Sequence, residues 1–176
     1  MNINKLLSSK ERLKLLNHII YKTGRLTVNK TARELKLSKA LVSQFISTLK
    51  KEGILNSKNE IKDSLATKSI KIFLNLNLIN PRAFNKPFIK SAGLYGSFTR
   101  GENTEESDID VWIIAENAKE EELAKLTSEL KKQYGNIKPL YLTKEKLSAL
   151  KKMDPLFYHS LVFGSVNIIG EKLEEI

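Results

Sequence analysis

Two short runs of residues between positions 96 and 110 carry the side chains that could do chemistry. A glycine-serine pair stands at Gly96 and Ser97, and two carboxylates follow at Asp108 and Asp110. Side chains alternate across a strand, so acids two residues apart point to the same face. Two carboxylates that close repel each other unless a cation lies between them. Because Mg²⁺ prefers oxygen ligands and completes its shell with phosphates, the pair predicts a site for Mg²⁺ or Mn²⁺.

The turn at Gly96 supplies what a chain of phosphates needs. Gly96 has no side chain, so its backbone can approach a ligand closely, and the Ser97 hydroxyl adds a hydrogen-bond donor. Arg100 contributes a permanent charge whose donors form a fork. The turn and the two acids together predict a site for a metal-bound nucleoside triphosphate.

Strands and helices of ordinary length can position these groups. Apolar runs at 88–95 and 107–114 predict two strands, of which the first enters the turn and the second begins with the acids. Residues 137–142 predict a third strand, and the proline within it favours an edge position. Residues 166–169 predict a short fourth strand. The predicted helices of this half are 118–134, 144–152 and 155–163.

The glycines of the turn and the Ser-Asp-Ile-Asp run at 107–110 resemble the signature of the DNA polymerase β-like nucleotidyltransferase superfamily. The similarity is greatest to its small prokaryotic branch, the minimal nucleotidyltransferases, and it covers about residues 64–176. It implies that Gly96, Ser97 and Gly101 bind the nucleotide phosphates, with ATP as the first candidate. It also implies that the two acids hold divalent metal for in-line attack on the α-phosphate.

The sequence departs from this family at one position of the site. Active members usually carry a third carboxylate on a later strand, where it helps to deprotonate the acceptor or to bind a second metal ion. Here that strand is predicted at 137–142, and it contains no acid. Glu116 and Asp154 are the nearest acids that could fold in. The departure puts catalysis in question, but it leaves the prediction of nucleotide binding intact.

Charge separates the chain into a basic part and a nearly neutral part. Residues 1–64 hold 14 Lys or Arg against 5 Asp or Glu, a net of +9, whereas residues 65–176 hold 16 against 15, a net of +1. This asymmetry predicts a polyanion-binding module in the first third. The absence of cysteine excludes disulfides and thiolate metal sites. No run predicts a membrane span or a signal peptide, so we expect a cytoplasmic protein without a membrane partner.

The first third predicts the element order of a winged helix-turn-helix. Helices are expected at 10–22, 27–35 and 39–52, and a hairpin with a polar tip at 54–62. Ser38 suits the N-cap of the third helix. The order resembles that of winged-helix transcription factors, which implies double-stranded DNA as the partner and the third helix in the major groove. A winged helix used only for dimerisation or protein docking is the alternative.

The candidate DNA contacts lie away from the apolar stripe of the third helix. Gln44 can make a bidentate contact to adenine, and Ser43 can pair with several bases. The lysines near the end of the helix and in the hairpin suit phosphates, which position the protein without specifying sequence. The predicted DNA-binding residues are Lys39, Ala40, Ser43, Gln44, Ser47, Lys50, Lys51 and Lys58.

The fold class that follows is α+β. Residues 1–63 are predicted to form the winged helix-turn-helix DNA-binding domain. Residues 64–176 are predicted to form a small nucleotidyltransferase-like domain with a mixed sheet flanked by helices. Its first segment, 64–79, is expected to be a linking helix with Leu65, Ile72, Leu76 and Ile79 on its apolar side.

Two functions from different classes fit these residues. The first is an enzyme that transfers a nucleotidyl group from a metal-bound nucleoside triphosphate to a macromolecular acceptor, because so small a domain offers little enclosure for a small one. Some members of the resembled family serve in toxin–antitoxin pairs and adenylylate a partner protein, which implies a protein partner here. The second is a DNA-binding regulator whose nucleotidyltransferase-like domain has weak or no turnover. A homodimer is compatible with both.

Overall fold

Two compact units make up the chain. The computed structural model describes residues 2–176. The helical unit contains the residues up to Leu74 together with Asn103–Glu106, and the sheet unit contains Asn75–Glu102 together with Ser107–Ile176. The predicted α+β class is confirmed, with an N-terminal helix-turn-helix region followed by a mixed sheet flanked by helices. Among residues 2–176, every helix is too short or too polar to cross a bilayer.

The helical unit is built from short amphipathic helices that share one core. Its first four helices are α1 (Ile3–Leu6), α2 (Lys10–Ile19), α3 (Val28–Leu35) and α4 (Lys39–Lys51). The predicted cap is confirmed, because the Ser38 hydroxyl accepts from the Leu41 N–H at 3.2 Å. The side chain of Leu15 in α2 is fully buried in this core, whereas Leu13 of the same helix is 40% exposed.

The predicted hairpin forms as a tight turn around a single bridge. Leu55 and Ile61 form an isolated antiparallel bridge. The Asn56 N–H donates to the Glu60 carbonyl at 3.0 Å, and the Asn56 side chain accepts from the Lys58 N–H at 2.9 Å. This hairpin at 54–62, the wing of the predicted winged helix-turn-helix, is therefore held by an asparagine turn and not by two regular strands.

The sheet unit contains one four-stranded mixed sheet. Its strands are β1 (Ile89–Tyr95), β2 (Ile109–Ala115), β3 (Ile137–Leu142) and β4 (Val166–Ile169). Their order is β3-β2-β1-β4, with β1 antiparallel to both β2 and β4, and β2 parallel to β3. The edge position predicted for the strand with Pro139 is confirmed, since a proline lacks the N–H that an inner strand needs.

Helices cover the two faces of this sheet. They are α6 (Ser97–Arg100), α7 (Glu120–Tyr134), α8 (Lys144–Met153) and α9 (Pro155–Phe163). The parallel pair β2–β3 requires a crossover, and α7 supplies it. Val111 and Ile113 of β2 pack in one apolar cluster with Leu126 and Leu130 of α7. Trp112 belongs to the opposite cluster, so Asp110, two positions earlier, shares the face of Trp112.

Only part of the predicted apolar side of the linking helix α5 (Leu65–Leu78) is buried, since Ile79 just after the helix is buried and Ile72 is half-buried. Leu65 is 85% exposed and Leu76 is 38% exposed, whereas Lys71 and Asn75 are buried. The physical reason is hydrogen bonding. The Lys71 ammonium donates to the Asn103 carbonyl at 2.6 Å within the helical unit. The Asn75 amide donates to the Phe98 carbonyl at 2.7 Å within the sheet unit, so both of these buried side chains have a partner.

Candidate functional site

The turn after β1 holds a backbone geometry that requires glycine. Gly96 has φ +75° and ψ −148°, and Gly101, which ends α6, has φ +66° in the left-handed region. A Cβ atom on Gly96 would lie 2.6 Å from Asp110 Oδ2, closer than side chains tolerate. The sequence therefore needs glycine here for two independent reasons, conformation and space. The turn and the second carboxylate are consequently in direct contact.

Strand pairing brings the two acids to this turn. Asp110 is the second residue of β2 and pairs with Tyr95, the last residue of β1. Asp108 precedes the strand by one residue, on the same side as Asp110. Burial raises the pKa of the Asp110 carboxyl, and the charge of Asp108 raises it further, while Lys138 and Arg100 oppose the shift. The acids are close enough to repel each other, which is the arrangement that a cation relieves.

Two other side chains of the turn have defined partners. Arg100 Nε donates to Glu102 Oε2 at 2.8 Å, and about half of the Arg100 side chain stays exposed. The Thr99 hydroxyl lies 2.7 Å from the Gly164 carbonyl and 3.0 Å from the Gly96 carbonyl, so it can donate to either. Thr99 was missed by sequence reasoning. Its hydrogen bond links α6 to Gly164, the C-cap residue of α9.

A lysine on β3 is the second residue that sequence reasoning missed. The parallel register places Lys138 beside Asp110, and the Lys138 ammonium forms an ion pair with Asp108 Oδ2. The hydrogen bond from Lys138 to Asp108 raises the pKa of the lysine. The sequence did contain a signal for this residue, because Lys138 is the only charged residue of the predicted strand 137–142, which has no acid. Its position opposite Asp110 becomes visible only through the strand register.

The candidate DNA contacts form an exposed surface on α4 and the wing. All eight predicted residues are exposed. Ala40, Ser43, Gln44 and Ser47 follow helical spacing and so share one face. Two of the eight have partners inside the unit: the Ser47 hydroxyl donates to the Ser43 carbonyl at 3.1 Å, and the Lys50 ammonium donates to the Ser57 carbonyl at 3.1 Å. The Lys50 bond links the helix to the wing. A role of these residues in DNA binding stays a prediction.

Sequence comparison identifies the family of the larger part of the chain. The model of the polymerase beta nucleotidyltransferases matches residues 77–173, which is more than half of the chain. The chain belongs to this family. The model of the arsR family of bacterial regulatory proteins matches residues 9–57. No curated protein matches the chain. The chain thus combines a helix-turn-helix DNA-binding region with a nucleotidyltransferase domain.

Solved structures show weaker similarity to the chain than the family models do. A toxin–antitoxin with AMP-PNP has 16% identity, covering 55% of this chain and 78% of that one, at a TM-score of 0.40. A tri-AMPylated HEPN toxin of Shewanella oneidensis in complex with the MNT antitoxin gives 14% identity, 61% and 76% coverage, and a TM-score of 0.34. A protein of Sulfolobus solfataricus assigned as a nucleotidyltransferase gives 18% identity, 57% and 80% coverage, and a TM-score of 0.34.

The nucleotidyltransferase domain uses its other nearby acids for structure. Asp154 Oδ1 accepts from the Phe157 N–H at 3.0 Å and caps α9. Glu116 follows the far end of β2, about 20 Å along the strand from Asp110, and faces Lys90 at 3.8 Å. Neither acid supplies the third carboxylate. Among residues 2–176, no group of three or more His, Cys, Asp or Glu could hold a metal ion.

The donor set of the nucleotidyltransferase domain fits one divalent cation. Asp108 and Asp110 offer hard oxygens on one face, and phosphate oxygens would complete an octahedral shell. The Lys138 ammonium already neutralises one oxygen of Asp108. A single Mg²⁺ or Mn²⁺ between the acids and a triphosphate therefore suits these residues. A second cation would lack its third carboxylate, because the strand on which the family usually carries this acid has Lys138 as its only charged residue.

Proposed function

We propose that the nucleotidyltransferase domain binds ATP with one divalent cation and transfers the adenylyl group to a macromolecular acceptor. The observation that carries this proposal is the contact between the turn and the acid, with the Cβ position of Gly96 only 2.6 Å from Asp110 Oδ2. A ligand whose phosphates lie on the turn amides therefore meets the carboxylate at the same point. Gly96, Ser97, Arg100 and Gly101 bind the phosphates, and Asp108 and Asp110 hold the metal.

The transfer is a displacement at the α-phosphorus of ATP. A hydroxyl oxygen of the acceptor forms a bond to this phosphorus, and the bond from the phosphorus to the bridging oxygen of the β-phosphate breaks. Pyrophosphate leaves with the electron pair, and the acceptor proton passes to solvent. The turn and Arg100 orient the phosphates, which lowers the entropic cost of in-line attack. Bound Mg²⁺ supplies charge neutralisation at the phosphates.

The helix-turn-helix region brings this activity to double-stranded DNA. Its exposed helix face and its basic surplus of +9 over residues 1–64 suit a phosphate backbone. A partner protein is the acceptor we favour, because the solvent-facing Arg100 and Lys138 leave the site accessible to a large molecule. We expect the protein to act in the cytoplasm, and a homodimer suits a helix-turn-helix that reads two half-sites.

A regulator with weak turnover is the second candidate. The observation that favours it is Lys138, which stands where a third carboxylate would deprotonate the acceptor. General-base help is worth about 10²–10⁴ in rate. We therefore expect slow transfer unless the acceptor supplies an activated group.

Labelled ATP separates the two candidates. Purified protein, Mg²⁺ and a cell extract are incubated with ATP labelled at the α- or the γ-phosphate. The enzyme transfers the α-label to a protein or RNA and releases pyrophosphate, while the γ-label does not transfer. Asp110→Asn should abolish transfer. Glu116→Gln, a matched change at the other end of β2, should not. If nucleotide binds but no label is transferred, the regulator replaces the enzyme as the proposed function.

A further inference from the structure

We propose that the Lys138 ammonium takes the place of the second divalent cation, so that this site works with a single metal ion. The inference rests on the proposed function and concerns the same site. Its first support is the strand register. Lys138 is the residue of β3 directly beside Asp110 of β2. In a parallel pair, residues in register project to the same face, so the lysine shares the face of both acids.

The second support is the contact that the lysine makes. Its ammonium pairs with Asp108 Oδ2, whereas the Gly96 turn lies against Asp110 Oδ2. The two acids therefore have different neighbours. Asp110 faces the phosphate turn, and Asp108 faces a fixed positive charge. Asp110 and the phosphates would hold one divalent cation, whereas a second cation at Asp108 would lie next to an ammonium and lack a third carboxylate.

The third support is that the ammonium is positively charged, with one unit of charge where a divalent cation has two, although it donates hydrogen bonds instead of coordinating ligands. A lysine ammonium is a compact point charge with three donors, and it suits phosphates as well as carboxylates. At this position it can neutralise Asp108 and donate to a phosphate oxygen, which a cation would otherwise do. The Lys138 side chain is 63% exposed, so an ordinary surface ion pair is the competing explanation. The metal count tests whether a second cation is absent, and the affinity of Lys138→Ala for the ATP analogue distinguishes the two explanations, because only an ammonium that contacts phosphate strengthens analogue binding.

Electron paramagnetic resonance of Mn²⁺ gives this count without turnover. The full chain is titrated with Mn²⁺ in the presence of a saturating non-hydrolysable ATP analogue, and free and bound Mn²⁺ are separated by their signals. Wild type should bind one Mn²⁺ per chain in the ternary complex. Lys138→Asp adds the missing carboxylate and should raise the count to two. Lys138→Ala removes the charge without adding a ligand and should stay at one.

Lys90→Asp is the matched control. Lys90 lies on β1 of the same sheet and faces Glu116 at 3.8 Å, so the change places a new acid beside an existing acid, as Lys138→Asp does beside Asp108. The control should bind one Mn²⁺. Trp112 is the only tryptophan, and its fluorescence verifies that the sheet unit is folded in each variant.

The outcomes separate this inference from the proposed function. Two Mn²⁺ per wild-type chain would overturn the inference and leave nucleotidyl transfer standing. A folded Lys138→Asp that still binds one ion would also overturn it. If Lys138→Asp does not fold, the wild-type count alone decides. If wild type binds no Mn²⁺ with the analogue, the metal-nucleotide site fails, and the inference fails with it.

Discussion

The two candidate binding surfaces of this chain are built in different ways. The DNA surface comes from one helix and one turn, and seven of its eight predicted residues lie within Lys39–Lys51. The nucleotide site comes from a turn, two strands and a crossover, which bring together Gly96, Asp110 and Lys138. A surface on one helix is encoded by spacing along the chain, whereas the site on the sheet also depends on which strands pair.

The two surfaces also differ in how charge is arranged. The helical surface has a diffuse basic surplus, and its lysines suit any phosphate backbone. The sheet site sets opposite charges against each other, with Lys138 on Asp108 and Arg100 on Glu102. Diffuse charge tolerates single substitutions, because each contact adds a small independent amount. Opposed charges in one site are coupled, so the removal of one group changes the electrostatics of its neighbours, although these exposed pairs contribute little to stability.

The largest expected effect comes from Asp110→Asn. The loss of this ligand charge should weaken binding of ATP with Mg²⁺ at least about tenfold, which corresponds to 1.4 kcal/mol. Duplex DNA affinity should not change, because the substitution leaves the helical surface intact. Titration calorimetry with ATP, with and without Mg²⁺, and a DNA-binding assay measure both. Equal ATP affinity with and without Mg²⁺ would remove the metal from the proposal.

The reciprocal change is made on the helical surface. Gln44→Ala should cost about 1–3 kcal/mol at one base pair and relax sequence preference there, if it reads a base edge. Lys58→Ala should weaken binding to all duplexes alike and reduce the salt slope by about 1. ATP binding should be unaffected by both. Fluorescence anisotropy over a range of salt concentrations provides the slope. A slope near zero for the wild type would exclude an electrostatic DNA interface.

Much of the fold could be predicted from the sequence, because its signals are local. Helical spacing and an N-cap at Ser38 placed α4, and Pro139 marked β3 as an edge strand. Glycine and paired acids likewise marked the turn and β2, which antiparallel pairing then brought together at Tyr95 and Asp110. In each case the physical cause lies within a few residues of its effect.

The remaining features depend on distant partners. Lys138 reaches Asp108 only because α7 returns the chain beside β2, and no spacing rule encodes that register. The predicted buried side of α5 was largely wrong for the same reason, because the partners of its buried polar residues lie far along the chain. Hydrophobicity favours Leu65 for burial over Lys71, but the ammonium of Lys71 finds the Asn103 carbonyl. Hydrophobic spacing within one helix does not predict the burial of a polar group whose hydrogen-bond partner lies elsewhere in the chain.

An effect of similar size is expected from the glycine of the turn. Gly96→Ala combines a backbone conformation almost exclusive to glycine, φ +75° and ψ −148°, which costs another residue about 1–3 kcal/mol, with a clash against Asp110. Gly135→Ala is its matched control, because Gly135 has φ +74° and nothing within 4 Å of the added Cβ. Denaturant unfolding should show a loss for both variants, and only Gly96→Ala should also lose ATP binding. If the control loses ATP binding equally, the contact of the turn with Asp110 is not responsible.

The smallest effect is a gain in stability from the substitution that removes function. Burial raises the pKa of Asp110, so the folded protein binds a proton more tightly than the unfolded chain does. Stability therefore falls as pH rises from about 4, the ordinary Asp value, through the raised pKa of the folded state. Without nucleotide and metal, Asp110→Asn should be more stable than wild type at pH 7, by less than about 1 kcal/mol because water screens a half-exposed group. The advantage should vanish below the ordinary pKa of Asp, where the carboxyl is protonated in both the folded and the unfolded wild type.

Urea unfolding followed by the fluorescence of Trp112 measures this difference in stability at each pH. Glu116→Gln is the control and should gain no stability, since the Glu116 carboxylate faces Lys90. A variant less stable than wild type at pH 7 would show that Lys138 and Arg100 outweigh the burial of Asp110, and that the carboxylate stabilises the sheet unit even without a metal.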